Sequence, residues 1–557
     1  MNVPNPALVS QRAVQRLPRL ALVLFCIAYV VPGVFGRDPW RGADISAFGA
    51  MINVATGRTD WLAPTVGGVA SDVAPLPYAL GAFFIRVLQP IMDPALAARL
   101  PFALLLFLAL VLTWYATFHL ARTEAAQPLP FAFGGEASLV DYARAISDGA
   151  LLALIATLGL LQLGHETTPE LVQLVGSALF LYGLSASAFR VAQSRAAVLL
   201  ALPVLAASGA PAMALAFGAV GTLVSLRSSY ASVRKMVPWL IVAGVLALIV
   251  ATLLHAWRWR ISGYAAPVDV WNLLRLFAWF IWPAWPLALW TLWRWRAQWR
   301  RRHIALPLNT ALIGIVTCIV MGGSDRALML ALPPTAVLAA FALPTLKRSL
   351  SAAIDWFSVC FFTAAAISVW VFYASLQIGV PAKPAATVMR LAPGYVSSFS
   401  LLALMAAALA TLAWLWLVKW RTGRHRQALW KSLVLPASGV ALCWLLAMTL
   451  WLPVLDYAFS YRPLVTRIAQ HVPGTACIAA PSLSRAQMAA LEYFGDYRVD
   501  GRPGADTASG CVYLLRAEPV RTPKPAPAGW SLLAHERRPT DRDETIAIFI
   551  RDRTARQ

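Results

Sequence analysis

The chain has 557 residues, of which 59% are hydrophobic and only 13% charged, about half the charged share of ordinary water-soluble domains. That balance excludes a chain built of water-soluble domains alone and calls for long apolar runs of membrane-spanning length. The net charge of +22 does not imply a nucleic-acid partner, because the basic residues sit in short connections between apolar runs and no basic-aromatic module is present.

Taken in chain order, the first apolar run, Leu20 to Phe35, follows Arg12, Arg16 and Arg19. Gly36-Arg37-Asp38-Pro39-Trp40 after it offers no small-residue cleavage site, so it reads as an uncleaved first span. Thirteen spans are expected, over 17–36, 96–121, 149–164, 170–189, 196–208, 211–226, 236–256, 270–293, 308–322, 328–346, 354–376, 394–418 and 433–452. The split at Ser208-Gly209-Ala210-Pro211 sets the sidedness of every later loop. With the N-terminus inside, the internal segments hold 22 basic residues and the external loops before residue 453 hold ten. That bias is the positive-inside signal. The reading is an all-α polytopic membrane protein in the bacterial inner membrane. Its N-terminus is expected in the cytosol. Residues 1–452 form the membrane part, and residues 453–557 form a small α/β domain on the periplasmic side.

The external loop over 37–95 is too long for a simple connection. Ala43–Thr56, with Ile45, Phe48 and Ile52 at helical spacing, and Pro77–Ile91 read as helices lying on the membrane. Between them Gly67-Gly68 marks a turn. Beyond residue 453 the apolar runs shrink to strand length: Ala476–Ala480, Cys511–Leu515, Trp530–Ala534 and Thr545–Ile550. Ser484–Phe494 reads as a helix capped by Ser484. Cys26, Cys318, Cys360 and Cys443 lie in apolar spans. Cys477 and Cys511 are the pair in the exterior domain, where an oxidising compartment favours a disulfide between them.

Four stretches in order then carry a resemblance: Asp44, Thr59-Asp60-Trp61-Leu62-Ala63-Pro64, Asp72-Val73-Ala74-Pro75-Leu76 and Arg99-Leu100-Pro101. They resemble the C-type glycosyltransferase fold, in the branch of protein O-mannosyltransferases and aminoarabinose lipid A transferases. Trp282-Pro283-Ala284-Trp285 and Ser324-Asp325-Arg326 are similar to later segments of that branch. The chain departs from the pattern at Val73, where relatives carry Lys, and at the turn His165-Glu166-Thr167-Thr168-Pro169, often Arg-bearing in relatives.

The resemblance implies that Asp44 is the base that deprotonates the acceptor, where a helix N-terminal charge is the plainer reading. It implies that Asp72 is a second active-site carboxylate or a ligand to a divalent metal ion. His255 is either that metal's second ligand or an interfacial imidazole. Arg258, Arg260 and Arg326 are scarce external cations suited to a donor phosphate. Glu166 and Tyr264 are candidates for contact with acceptor or sugar. Asp60 is read as capping or fixing the turn before Trp61, and Asp38 as a similar loop residue, neither with a part in the chemistry. The implied activity is transfer of a sugar from a polyprenyl-phosphate donor to a lipid A, glycan or protein acceptor. No Gly-rich nucleotide fingerprint argues for a nucleotide-sugar donor. The rival classes are a transporter or lipid flippase, which should show paired broken spans in two related halves, and a structural protein.

Overall fold

The computed structural model describes residues 6–15, 17–71, 74–259, 269–422, 428–522 and 524–552. The chain forms two compact units. One holds Met1–Gly33, Phe102–Ser368 and Ala403–Thr449, and the other Val34–Pro101, Val369–Leu402 and Leu450–Gln557. The main helices of the first half are α1 (Arg19–Val30), α2 (Ala43–Ala55), α3 (Leu76–Leu88), α4 (Pro94–Ala121), α5 (Leu139–Ala156), α6 (Pro169–Ala186), α7 (Val191–Ala207), α8 (Pro211–Leu226), α9 (Val237–Leu253) and α10 (Val270–Phe280). They continue as α11 (Ala284–Arg294), α12 (Arg302–Val320), α13 (Leu332–Ala340), α14 (Arg348–Ile378), α15 (Ala382–Leu391), α16 (Leu401–Thr422), α17 (Lys431–Ala447), α18 (Leu452–Phe459), α19 (Arg462–Ile468) and α20 (Arg485–Gly495).

Among the described residues, 5 helices are long and apolar enough to cross a membrane, or up to 7 if the bent pairs α10–α11 and α17–α18 are each one span. The other expected spans are helices too, but short or interrupted ones. α1, for example, has 12 residues, a reach of about 18 Å against roughly 30 Å of hydrocarbon. Three boundaries differ from expectation for identifiable reasons. The span over 270–293 is two helices bent by 91°, meeting at Pro283, which has no N–H to continue a helical ladder. The helix expected from 149 starts at Leu139, because Ser138 caps it by accepting from the Asp141 N–H, and it breaks at Thr157, whose backbone is extended. The segment over 433–452 stops at Ala447, and a separate helix, α18, begins at Leu452.

The split at Ser208–Pro211 is real. Gly209 takes φ 90°, which only glycine adopts without strain, and α7 packs back on α8. In the first unit α5 is buried along most of its length and packs on α13 and α17. By contrast α16 has only 11% of its apolar window buried. So large an apolar face is stable against lipid, not water.

The second unit contains the loop over 37–95 and the C-terminal residues together. At the expected turn, strands β1 (Thr65–Val66) and β2 (Val69–Ala70) form a hairpin, turned by Gly67 at φ 58° and Gly68 at φ 71°. Strands β3 (Cys477–Ala479), β4 (Arg498–Asp500), β5 (Tyr513–Pro519), β6 (Trp530–Glu536) and β7 (Glu544–Arg551) make a five-stranded sheet of order β4-β3-β5-β7-β6. β3 pairs in parallel with β4 and β5, and the rest is antiparallel. Its core is Ala479, Leu514, Trp530, Ala547 and Phe549. Four strands are those expected; β4 is the addition, three residues long and too short to show an alternating pattern. A disulfide joins Cys477 to Cys511, with Cα atoms 4.9 Å apart. Ser484 caps α20 in a full capping box with Gln487.

Helix α2 was expected on a membrane surface, and the structure instead encloses it in protein. Ile45, Phe48 and Met51 are fully buried, and α2 packs on both α3 and α20. α3 keeps a lipid-type face, with Phe83 and Val87 exposed. The α2–α20 contact is close because Gly49 has no side chain: a Cβ there would lie 2.4 Å from the Ala489 Cβ. An exposed helical Gly→Ala change usually stabilises, by about 0.5–1 kcal/mol. Gly49→Ala should do the reverse here, costing about 1–3 kcal/mol through overpacking, with partial recovery on adding Ala489→Gly. Thermal unfolding of the purified chain checks this; an unchanged or higher midpoint would contradict the packing.

Candidate active site

The segment from Val34 to α2 brings charged residues together without regular structure until Gly42, at φ 86°, opens the helix. Asp44, in the first turn of α2, is 1% exposed. Its Oδ2 accepts from the Trp40 backbone N–H at 3.0 Å and from Arg37 Nη2 at 3.2 Å. Arg37 is equally buried, and its guanidinium lies 4.5 Å from the centre of the Trp40 ring. A carboxylate in a first helical turn is favoured by the helix dipole. A desolvated ion pair holds only while both partners keep their bonds.

Asp38 fixes the loop, as a loop carboxylate was expected to, and does so through partners far along the chain. Arg462 grips it bidentately, Nε at 2.8 Å and Nη2 at 2.6 Å, and Ser460 Oγ donates to it at 2.9 Å. Asp456, from α18, accepts the Asp38 N–H at 2.9 Å and the Trp40 Nε1–H at 3.0 Å. Arg99, in the first turns of α4, is 4% exposed and donates to the Val34 carbonyl at 3.4 Å. It lies in the electrostatic field of Arg37, Asp44, Asp456 and Asp38. Tyr493 on α20 also faces this group. Burial, and after it Asp93 and Asp38, push its hydroxyl up to about 12, so it stays a donor.

The loop is held from α20. Glu492 accepts from Asn53 Nδ2 at 2.8 Å and from the Gly67 N–H at 2.9 Å, tying α2 to the β1–β2 hairpin. Burial holds the Glu492 carboxyl above the usual carboxylate range, against the opposing pull of Asn53, Gly67 and Arg58.

The other sequence candidates fall elsewhere. Glu166 and Arg326, expected in separate roles, meet in the first unit. Arg326 Nη2 is 2.6 Å from Glu166 Oε2 and its Nη1 is 3.9 Å from Glu170, while Gln162 Nε2 donates to Glu166 at 3.0 Å. His165 beside them turns to backbone, its ring nitrogens facing the carbonyls of Leu161 and Tyr29. His255 is exposed just beyond α9, at φ 51°. Asp72, Arg260, Tyr264 and the side chain of Arg258 lie outside the described residues. Among the described residues no three His, Cys, Asp or Glu gather as a metal site. Sequence reasoning passed over Asp456, Arg462 and Tyr493. All three lie far along the chain, and only folding reveals their neighbours.

Fold and charged site together define a polytopic membrane protein whose first loop is completed by its C-terminal residues. Two crystal structures of ArnT from Cupriavidus metallidurans share this architecture. The one bound to undecaprenyl phosphate is 13% identical, covers 95% of this chain and 97% of its own, and superposes with a TM-score of 0.60. The apo one is 15% identical, covers 95% and 96%, and also gives 0.60. The chain therefore has the C-type glycosyltransferase fold that its ordered motifs resemble. No family model and no curated protein sequence matches it.

Proposed function

We propose that this chain is an inner-membrane glycosyltransferase. It moves a sugar from a polyprenyl-phosphate donor to a lipid A, glycan or protein acceptor at the periplasmic face. The observation that carries the reading is the buried Arg37–Asp44 pair at the start of α2, at the place where the resembled enzymes carry their acidic residue. The fold shared with a protein crystallised with undecaprenyl phosphate supports a lipid-linked donor.

In this reading the acceptor oxygen attacks the anomeric carbon. The bond from that carbon to the phosphate oxygen breaks, and the polyprenyl phosphate leaves with the electron pair. The acceptor proton passes to the Asp44 carboxylate. The departing phosphate gains charge, and guanidinium groups stabilise it most when already fixed in place. Arg37 and Arg99 are buried and fixed in this way. Deep burial also favours a second role for Asp44, as the counter-ion that aims Arg37. The two roles differ in their pH dependence, as argued below.

Mass spectrometry of lipid A and envelope glycans from a deletion strain tests the reading: one glycoform should vanish and return on complementation. An unchanged profile, with altered export of a lipid-linked sugar, would favour the flippase instead. That rival needs paired broken spans in related halves, and the bent pairs α10–α11 and α17–α18 are the features it would use. The charge bias also predicts that reporters fused after Pro453 are active only in the periplasm; activity in the cytosol would reverse the orientation.

A further inference from the structure

Near the C-terminal end of α4 a buried histidine, His119, stacks on Phe189 with ring centres 5.9 Å apart, and three arginines lie close by. His119 is 5% exposed and lies in the field of Arg122, Arg190 and Arg302, with no carboxylate among its charged neighbours. Arg122 follows the last residue of α4. Its guanidinium lies 4.5 Å from the Phe189 ring centre and 5.4 Å from that of Phe118. Arg302 Nη2 donates to Ser187 Oγ at 2.6 Å and to the Leu184 carbonyl, closing the end of α6. Its Nε and Nη1 are buried without a hydrogen-bond partner. Arg190 is exposed. Among the described residues none of the three arginines forms an ion pair. Glu124, near in sequence, is exposed and engages Tyr230 through its backbone N–H.

An apolar track leads to this cluster. Leu104, Leu108, Val111, Tyr115, Phe118 and Arg122 follow one another at helical spacing on a single face of α4, and Leu104, Leu108 and Tyr115 are exposed. The stretch from Val111 to Arg122 rises about 16 Å, close to half of the roughly 30 Å hydrocarbon thickness. One leaflet's acyl chain fits beside it, with its phosphate level with the arginines.

We propose that Arg122, Arg190 and Arg302 bind the phosphate of an anionic phospholipid whose acyl chain lies along α4. A free phosphate would satisfy the guanidinium groups but not the apolar track. The site is independent of the proposed transferase activity.

Native mass spectrometry of the purified full-length chain, titrated with phosphatidylglycerol, phosphatidylcholine or inorganic phosphate, tests this. Arg122→Gln with Arg190→Gln should weaken phosphatidylglycerol binding by about tenfold or more, as expected for two lost charged contacts. Both variants leave the Arg302 cap on α6 intact. Arg227→Gln with Lys235→Gln removes the same charge from exposed positions outside the cluster and should change binding by less than about twofold. Equal weakening by the two pairs would overturn the site in favour of diffuse surface charge. Phosphatidylcholine binding as tightly as phosphatidylglycerol would overturn it too, as would displacement of the lipid by equimolar inorganic phosphate. If the double variant does not fold, exposed Arg190→Gln alone must still show weaker binding than Arg227→Gln.

Discussion

Asp44→Asn is expected to lower sugar transfer by at least about 100-fold, the lower end of what a positioned base contributes. The amide keeps an oxygen for the Trp40 N–H but removes the basic group and the negative charge that faces buried Arg37. An unfolding midpoint below wild type should accompany the loss, since stripping one partner from a buried pair costs about 3–5 kcal/mol. Activity is therefore compared well below that midpoint. The dependence of kcat/KM on pH separates the two roles. If Asp44 takes the proton, the acidic limb of the wild-type profile is missing from the residual activity of Asp44→Asn. If it only aims Arg37, the limb persists, donor KM rises, and Arg37→Gln reproduces the defect. Asp60→Asn is the control, because Asp60 is exposed. Asp38→Asn is unsuitable, because it would release Arg462. Near-normal turnover by Asp44→Asn would remove Asp44 from the mechanism.

Cys477→Ser with Cys511→Ser should destabilise the second unit by about 3–4 kcal/mol. The bond spans 34 residues, and restricting the unfolded chain over a loop of that length is worth this much. Limited proteolysis within 450–557 and unfolding with and without reductant measure it. Alkylation of the unfolded wild-type chain should label neither thiol until reductant is added. Labelling of both beforehand would show that the bond does not form in the cell.

Much of the fold was legible because apolar run length and charge bias are direct consequences of a bilayer. The turn at Gly67-Gly68 and the Ser484 cap were legible for local reasons: positive φ and a side chain able to meet an orphan N–H. The bend at Pro283 was hidden because the run over 270–293 has the length of one span, and a proline inside such a run can kink a helix as well as end it. The burial of α2 was hidden for another reason. Its pattern of Ile45, Phe48 and Ile52 suits a lipid surface and a protein surface alike, and only Gly49 against Ala489 distinguishes them. At the candidate site, Asp44 was singled out through order along the chain. Asp456 and Arg462 were not, because their partners Trp40 and Asp38 precede them by 416 and 424 residues.

That long reach shapes how the protein comes into being. The bond between Asn53 and Glu492 joins residues 439 positions apart. At roughly 5–20 residues per second, about 20–90 s of synthesis separate the first partner from the second. During that interval the nascent loop already carries Asp44 and Arg37, while α20, which backs α2, has not been made. The last hundred or so residues thus act as a completion signal: a chain cut short after α17 would still thread the bilayer, yet leave its charged loop without support.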